Sequence, residues 1–353
     1  MSASWPVIVL GGSGYVAGEF LRLVAQHPRL ELGAAVSTSQ VGEPISGCFA
    51  HLSPVYGDSQ FKSLGDIIEG LAEAPHWAVL SAAPHGASAE IISRLLDRAA
   101  EEGVGMTVVD ASADFRFTDA DVFAGIYGQA HASPQHLPEF RCAVPEHLHD
   151  VDTPHAAHPG CFATAMLLAI VPLIEQGICA ESICVSAVTG STGAGRTARD
   201  STHHPVRQSN LFAYQVLKHR HDPEVRELTR VATGKDIRLH FVPHSGPFAR
   251  GIHATIFATL NGEHSADEIN TSLAQYYRDD EFVRVVAAPP RIKDVAASNY
   301  ALLNASVDGD TVVVCSVLDN LLKGAAGGSI QWMNRLLGLP ETLGLTTPSP
   351  GWL

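Results

Sequence analysis

The sequence predicts an α/β chain: a doubly wound parallel sheet first, then a second, α+β domain built on a mixed sheet. Three observations carry this. The first third alternates short β-branched runs with helical repeats, the arrangement of successive βα units. The second half holds a long run of alternating character, Ile252 to Leu260, the mark of a sheet with two unlike faces. A length of 353 residues, with 46% apolar and 17% charged side chains, supplies two cores rather than one and excludes a largely disordered chain.

Element by element, Val7–Leu10 reads as a buried strand ending in glycines, and Ala17–Gln26 as a helix stopped by Pro28. Leu30–Val36 and Trp77–Ala82 are the next strands, the latter closed by Pro84 and Gly86. Ser88–Glu102 has its apolar residues at helical spacing and ends at Gly103; Thr107–Ala111 is a further strand. Residues 112–158, rich in His, Pro and Asp without periodicity, read as irregular linking structure. Beyond them, Ser182–Val188, Arg238–Pro243, Ile252–Leu260 and Thr311–Leu318 are strands. Asp319–Leu337 is a helix with Asp319 or Asn320 as its cap, and the Pro/Gly-rich tail Gly338–Leu353 lies on the surface.

Charge and cysteine usage narrow the function. Lys and Arg number 23 against 37 acidic residues, a net of −14, so no basic face is available for nucleic acid or an anionic membrane; a local basic pocket for an anionic substrate is still compatible. No apolar stretch approaches the roughly 20 residues that span a bilayer, and Met1–Pro6 is unlike a signal peptide. The six cysteines (Cys48, Cys142, Cys161, Cys179, Cys184, Cys315) show no CxxC spacing, which fits free thiols in a reducing, cytoplasmic compartment. Histidines are many but scattered, so no metal site is expected.

The segment Gly11-Gly12-Ser13-Gly14-Tyr15-Val16 stands between the first strand and the first helix. Glycine permits the sharp turn and the close approach of a pyrophosphate, and the helix start supplies amide donors and a positive dipole end. That context marks a Rossmann-type dinucleotide site, although Ala17 occupies the usual place of the third glycine. The second strand ends in Ser37-Thr38-Ser39, with no carboxylate to hold a ribose diol. Small hydroxyls suit a 2′-phosphate, which favours NADP over NAD; the same residues also fit ordinary strand-end positions.

His158-Pro159-Gly160-Cys161 precedes an apolar helix, Phe162–Glu175, in which Pro172 is expected to introduce a kink near the end. Cys161 thus falls at a helix N-terminus, where the dipole favours a thiolate nucleophile. Cys184 and Cys315, inside apolar strands, read instead as core thiols. The cluster Lys218-His219-Arg220-His221-Asp222-Pro223-Glu224 holds groups for acid–base and anion chemistry, but also reads as a solvated helix start with Asp222 as cap and Pro223 in the first position. The glycine-rich Gly190–Arg196 either packs on a ligand or is a plain loop.

Taken together and in order, these segments resemble the N-acetyl-gamma-glutamyl-phosphate reductase family, in the aspartate-semialdehyde dehydrogenase group, along nearly the whole chain. Gly11–Glu19 is similar to its GxSGYxGxE turn, Pro84-His85-Gly86 to its PHG loop, Ala113-Asp114-Phe115-Arg116 to its ADFR segment and Leu137-Pro138-Glu139 to its LPE. Pro159-Gly160-Cys161-Phe162-Ala163-Thr164-Ala165 is similar to PGCYxTA, with Phe162 in place of Tyr. Gly193–Arg196, His219-Arg220-His221, Arg250-Gly251-Ile252 and Lys323–Gly327 match its GAGR, HRH, RGI and KGxAG. Thr202-His203-His204-Pro205 is closer to related reductases that act on an amino-adipyl phosphate attached to a carrier protein.

The resemblance implies NADPH-dependent reduction of a small-molecule acyl phosphate to an aldehyde through a thioester on Cys161, with His219 as acid/base and His221 in reserve. It implies arginine biosynthesis, with a carrier-bound lysine-type substrate or a non-catalytic NADP-binding sensor as the alternatives. It places Gly11 to Val16, Ser37, Thr38, Ser39, Pro84, Ser191, Gly193, Asn320 and Lys323 at the cofactor, and Arg116 and Arg196, with His221, at the substrate. It further implies a cofactor domain of residues 1–158 plus 319–353, a catalytic domain of 159–318, and a homo-oligomer, dimer or tetramer.

Overall fold

The structure, a computed structural model, describes residues 4–352. The chain divides into two compact units. One gathers the chain up to Cys142, Asp150–His158 and Ala326–Thr346; the other gathers Ala143–His149, Pro159–Ala325 and the chain from Thr347.

The first unit is a six-stranded, wholly parallel sheet: β1 (Trp5–Leu10), β2 (Leu30–Val36), β3 (His76–Ser81), β4 (Gly105–Asp110), β5 (Phe140–Cys142) and β6 (His155–Ala157), in the order β2-β1-β3-β4-β6-β5. Val7 to Leu10 are wholly buried, as a central strand covered on both faces must be. The Tyr15–Gln26 helix begins two residues earlier than the apolar spacing suggests. Residues 112–158 are less irregular than expected: they carry a helix at Ala120–Tyr127 and the strands β5 and β6. Strands of three residues leave too short a pattern for periodicity to register.

The second unit is a seven-stranded mixed sheet: β7 (Cys179–Thr189), β8 (Phe212–Ala213), β9 (Arg238–Ser245), β10 (Ile252–Leu260), β11 (Val283–Val285), β12 (Ala301–Asp308) and β13 (Thr311–Leu318), in the order β11-β12-β13-β10-β7-β9-β8. Its inner face packs on the Cys161–Glu175 helix, of whose fifteen residues thirteen are buried. Strand parity overturns one expectation. Along β7, Ile183, Val185 and Ala187 are buried, so Cys184 points the other way and is exposed; Cys315 on β13 is half-buried for the same reason. Neither is a core thiol.

The expected helix from Asp319 is also corrected. The chain turns through a π-type segment, Leu322–Ala326, before the Gly327–Leu336 helix. Asp319 still caps it: its carboxylate accepts from the backbone amides of Leu321 and Leu322 at 2.8 and 3.0 Å. That carboxylate also pairs with Arg250 at 2.7 Å, and buried Lys323 pairs with buried Glu146 at 2.5 Å. These bonds hold residues 319–325 in the second unit, so the chain joins the first unit only from Ala326. Likewise the helix after the His-rich cluster is His221–Thr233, starting before the expected Asp222 cap. The described tail is about half exposed and half partly covered, with Leu345 buried.

Pro172 lies inside the Cys161–Glu175 helix and has no amide hydrogen for the carbonyl of Leu168, four residues back. Tyr277 makes good the loss, its hydroxyl donating to that carbonyl at 2.8 Å. His147 holds the hydroxyl in turn, Nε2 at 2.8 Å, and burial pushes the His147 imidazole down to about 4, so it is neutral. Tyr277→Phe should therefore orphan a buried carbonyl and cost about 1–3 kcal/mol of stability, read as a lowered denaturant midpoint with the secondary structure unchanged.

Candidate active site

In the first unit the glycine turn fits a pyrophosphate. Gly11 has φ +74°, and a side-chain carbon there would lie 2.4 Å from the carbonyl oxygen of Ala82, just past the end of β3. At Gly14, the residue before the helix, a carbon would meet nothing nearer than 3.7 Å, so the space over the helix start is open. No side chain caps that helix, and its first-turn amides have no intrahelical acceptor. Gly12, Ser13, Tyr15 and Val16 complete the turn, and Pro84 follows Ala82 on the same sheet edge. Of the three hydroxyl residues after β2, Ser37 is buried and only Thr38 and Ser39 are exposed. Sequence reasoning missed Lys62. It pairs in register with Val36, its backbone carbonyl accepts from the Ser37 amide at 3.2 Å, and its exposed side chain forms no ion pair. Only a tertiary pairing brings it to the strand end.

Two motifs that are far apart in sequence prove to be one device. Buried Asp114 accepts from the amides of Gly86 and Ala89 at 2.8 and 2.9 Å, and His85 Nδ1 accepts from the Ala113 amide at 2.9 Å. The ADFR segment thereby fixes the PHG loop and the start of the Ser88–Glu102 helix. Arg116 is buried and donates to the carbonyls of His158 and Ala111, at 3.0 and 2.9 Å. Beneath them Asp110, wholly buried, accepts from Ser88 and Ser112; burial, and then the nearby Asp114 charge, push its carboxyl up to about 6.

In the second unit Cys161 is the first residue of its helix and half-buried, the one residue of the first three turns that is not covered. Its neighbours are fixed tightly. The Gly160 amide donates to the buried carboxylate of Glu224 at 2.6 Å. A side chain at Gly160 would fall 2.3 Å from His221 Nε2, so only glycine lets the imidazole lie against this turn. His221 donates its amide to His219 Nδ1 at 3.1 Å, and the two rings stand edge to face at 4.6 Å. Phe162 and Tyr214 wall His219 on two sides. Burial, helped by the Arg220 charge, lowers the His219 imidazole to about 4, so it is neutral near pH 7. A neutral ring that accepts at Nδ1 carries its hydrogen on Nε2. Glu224 is a residue that sequence reasoning passed over as part of a solvated helix start.

The other expected residues are placed as follows. Ser191 and Gly193 lie in the second unit, on a turn bonded to Phe248 and Ala249, and Arg196 is exposed beyond it. Asn320 is buried, accepting from Gly251 at 2.7 Å and donating to Thr192 at 3.0 Å; Lys323 is spent on Glu146. Both tie the second unit together. Among the described residues no group of His, Cys, Asp and Glu could hold a metal ion, and no helix is long and apolar enough to cross a membrane.

Comparison with known proteins agrees with this geometry. Residues 6–151 match the family model described as the semialdehyde dehydrogenase NAD binding domain, and 161–320 the semialdehyde dehydrogenase dimerisation domain. Aspartate semialdehyde dehydrogenase II from Vibrio cholerae, solved with ASA, superposes with a TM-score of 0.69 at 16% identity, over 96% of this chain and 99% of that one. The Candida albicans enzyme, solved with NADP, gives 0.65 at 14%, over 95% and 99%. Fold and site thus define a semialdehyde dehydrogenase-type oxidoreductase, an enzyme and not a non-catalytic sensor. N-acetyl-gamma-glutamyl-phosphate reductases of Methanopyrus kandleri and Pseudomonas fluorescens Pf0-1 are each 38% identical over 96% of this chain and 97% of their own length. The chain belongs to the N-acetyl-gamma-glutamyl-phosphate reductase family.

The raised Asp110 carboxyl has a signed consequence. A group whose folded pKa lies above its unfolded value stabilises fully below about 3.8 and loses that stabilisation as pH rises through about 6. Buried His147, His155 and His219, all lowered to about 4, act in the opposite sense over the same range. The comparison with Asp110→Asn isolates the carboxyl: between pH 4 and 6 the variant should gain thermal stability relative to the parent, and a parallel pair of curves would contradict the assignment.

Proposed function

We propose that the chain reduces N-acetyl-gamma-glutamyl phosphate to N-acetylglutamate semialdehyde and phosphate, with NADPH as reductant and Cys161 as nucleophile. The observation that carries this reading is the half-buried sulfur at the head of an otherwise buried helix, with the neutral His219 ring packed on the next residue, Phe162. The thiolate attacks the acyl carbon, the bond from that carbon to the phosphate oxygen breaks, and phosphate leaves with the electron pair. Cys161 then carries the acyl group as a thioester. The dinucleotide, when bound, supplies the hydride. Gly11 to Val16 and Pro84 would hold its pyrophosphate side, and Thr38, Ser39 and Lys62 a 2′-phosphate.

Hydride addition leaves charge on the acyl oxygen, and its collapse to the aldehyde expels the Cys161 thiolate. Neither step requires a proton from the protein. His219, hydrogen on Nε2, serves by donating a hydrogen bond to that oxygen as it gains charge. Glu224 holds the Gly160 amide, and with it the turn that presents the sulfur. His221 acts through its packing on Gly160 and its amide bond to His219.

The assay runs in the favourable direction with N-acetylglutamate semialdehyde, phosphate and NADP, followed by NADPH absorbance. Cys161→Ser should abolish the signal, and His219→Asn should lower kcat by about 10²–10³, the loss expected for one oxyanion donor. NADP should show a much lower KM than NAD. A fully active Cys161→Ser variant would remove the thioester from the scheme.

The second unit also supports a homo-oligomer. On the outer face of its sheet Phe257, 42% exposed, lies between Cys184 and Val313, an apolar stripe on a face a monomer would leave wet. Phe257→Glu should shift the sedimenting species to lower mass.

A further inference from the structure

The chain holds a buried cation that the chemistry above does not use. Arg207 is 8% exposed, and its guanidinium donates to the Ser245 hydroxyl at 2.6 Å and to the Gly246 carbonyl. Both partners are uncharged. Among the described residues no carboxylate lies within ion-pair distance of it, and its Nε has no hydrogen-bond partner. A buried guanidinium without a counter-ion is costly, and the cost is recovered when an anion arrives. Arg207 lines a cavity of about 400 Å³, with Ser191, Thr202, His204, Gln208 and Phe248 among the other walls. These walls bear hydroxyl, amide and imidazole groups and no acid, so they suit a small anion with a polar neighbour.

The cavity and the nucleophile share a neighbour. Tyr214, which stands edge to face with His219, lies within electrostatic range of both Cys161 and Arg207. The segment between Arg207 and His219 also holds three of the four non-glycine residues with positive φ among the described residues: Ser209, Gln215 and Leu217. Strain of that kind persists where surrounding contacts fix it, commonly at binding sites.

We infer that Arg207 receives the carboxylate of the substrate's amino-acid moiety, with Ser191, Thr202 and Gln208 reading the groups around it. This rests on the acyl-phosphate reductase reading and assigns to that site the part that distinguishes an N-acylated amino acid from a plain acyl phosphate. Arg207 binds the end of the substrate that does not react. Phosphate, the other anion of the reaction, belongs elsewhere.

Two aldehydes test this: N-acetylglutamate semialdehyde, and acetamidobutanal, the same molecule without its carboxylate. The parent enzyme should prefer the carboxylate-bearing aldehyde in kcat/KM. Arg207→Gln should raise KM for that aldehyde by about 10- to 100-fold, the value of a charge-assisted pair, and erase most of the preference. KM for phosphate and for NADP should not move. Gln208→Glu, an exposed and isosteric change, places a competing carboxylate in the same cavity and should also raise the semialdehyde KM, so the inference survives a failure of Arg207→Gln to fold. If the preference persists in a folded Arg207→Gln variant, or if phosphate KM rises instead, the carboxylate assignment is overturned. A drop in kcat and melting temperature without a KM change would mean Arg207 only ties Ser245 and Gly246 together. A parent enzyme that turns over neither aldehyde would sink the reductase reading itself.

Discussion

Burial of one helix organises the second unit. Phe162 to Ile174 are covered without interruption, which anchors the Cys161–Glu175 helix along its whole length. Apolar area removed from water is what fixes it, at roughly 25 cal/mol per Å². The consequence is chemical. A helix held on every side can offer only an end, and here the end carries a sulfur. The turn before it is then set by contacts made elsewhere: Glu224 on the Gly160 amide, His221 on its bare α-carbon, and the next ring, His219, by a single backbone bond. Packing places the sulfur, and hydrogen bonds fix the turn before it.

The first unit uses the reverse logic. Its parallel strands end in loops whose amides would otherwise point at solvent, and buried carboxylates gather them. Asp114 takes one amide from the loop after β3 and one from the start of the Ser88–Glu102 helix, and Asp110 takes hydroxyls from Ser88 and Ser112. Burial, and after it the charge of nearby Asp114, pushes Asp110 toward its neutral form. A sheet edge made rigid in this way can leave the Gly11–Gly14 turn open without collapsing onto it.

Much of this was legible in the residues. The βα alternation, the glycine turn, the Ser88–Glu102 helix and the Ile252–Leu260 strand are local patterns, and local patterns survive in sequence. Cys161 was legible because Pro-Gly before an apolar run is a helix-start signal. What was hidden depends on pairing at a distance. Cys184 reads as apolar core until strand parity turns it outward. Lys62 is unremarkable until a bridge sets it against Val36. Asn320 and Lys323 are buried on the Gly251 amide and the Glu146 carboxylate, partners 69 and 177 positions away that no one-dimensional pattern carries. Short strands such as β5 and β6 exist only because neighbours complete them.

The bond from Tyr277 to Leu168 spans 109 positions. A proline in the Cys161–Glu175 helix therefore makes that helix dependent on a residue the ribosome adds much later. Until Tyr277 is added, that carbonyl lacks the donor that stands in for the missing Pro172 amide hydrogen. A product truncated before Tyr277 would thus carry Cys161 at the head of a helix with one buried carbonyl left unmatched.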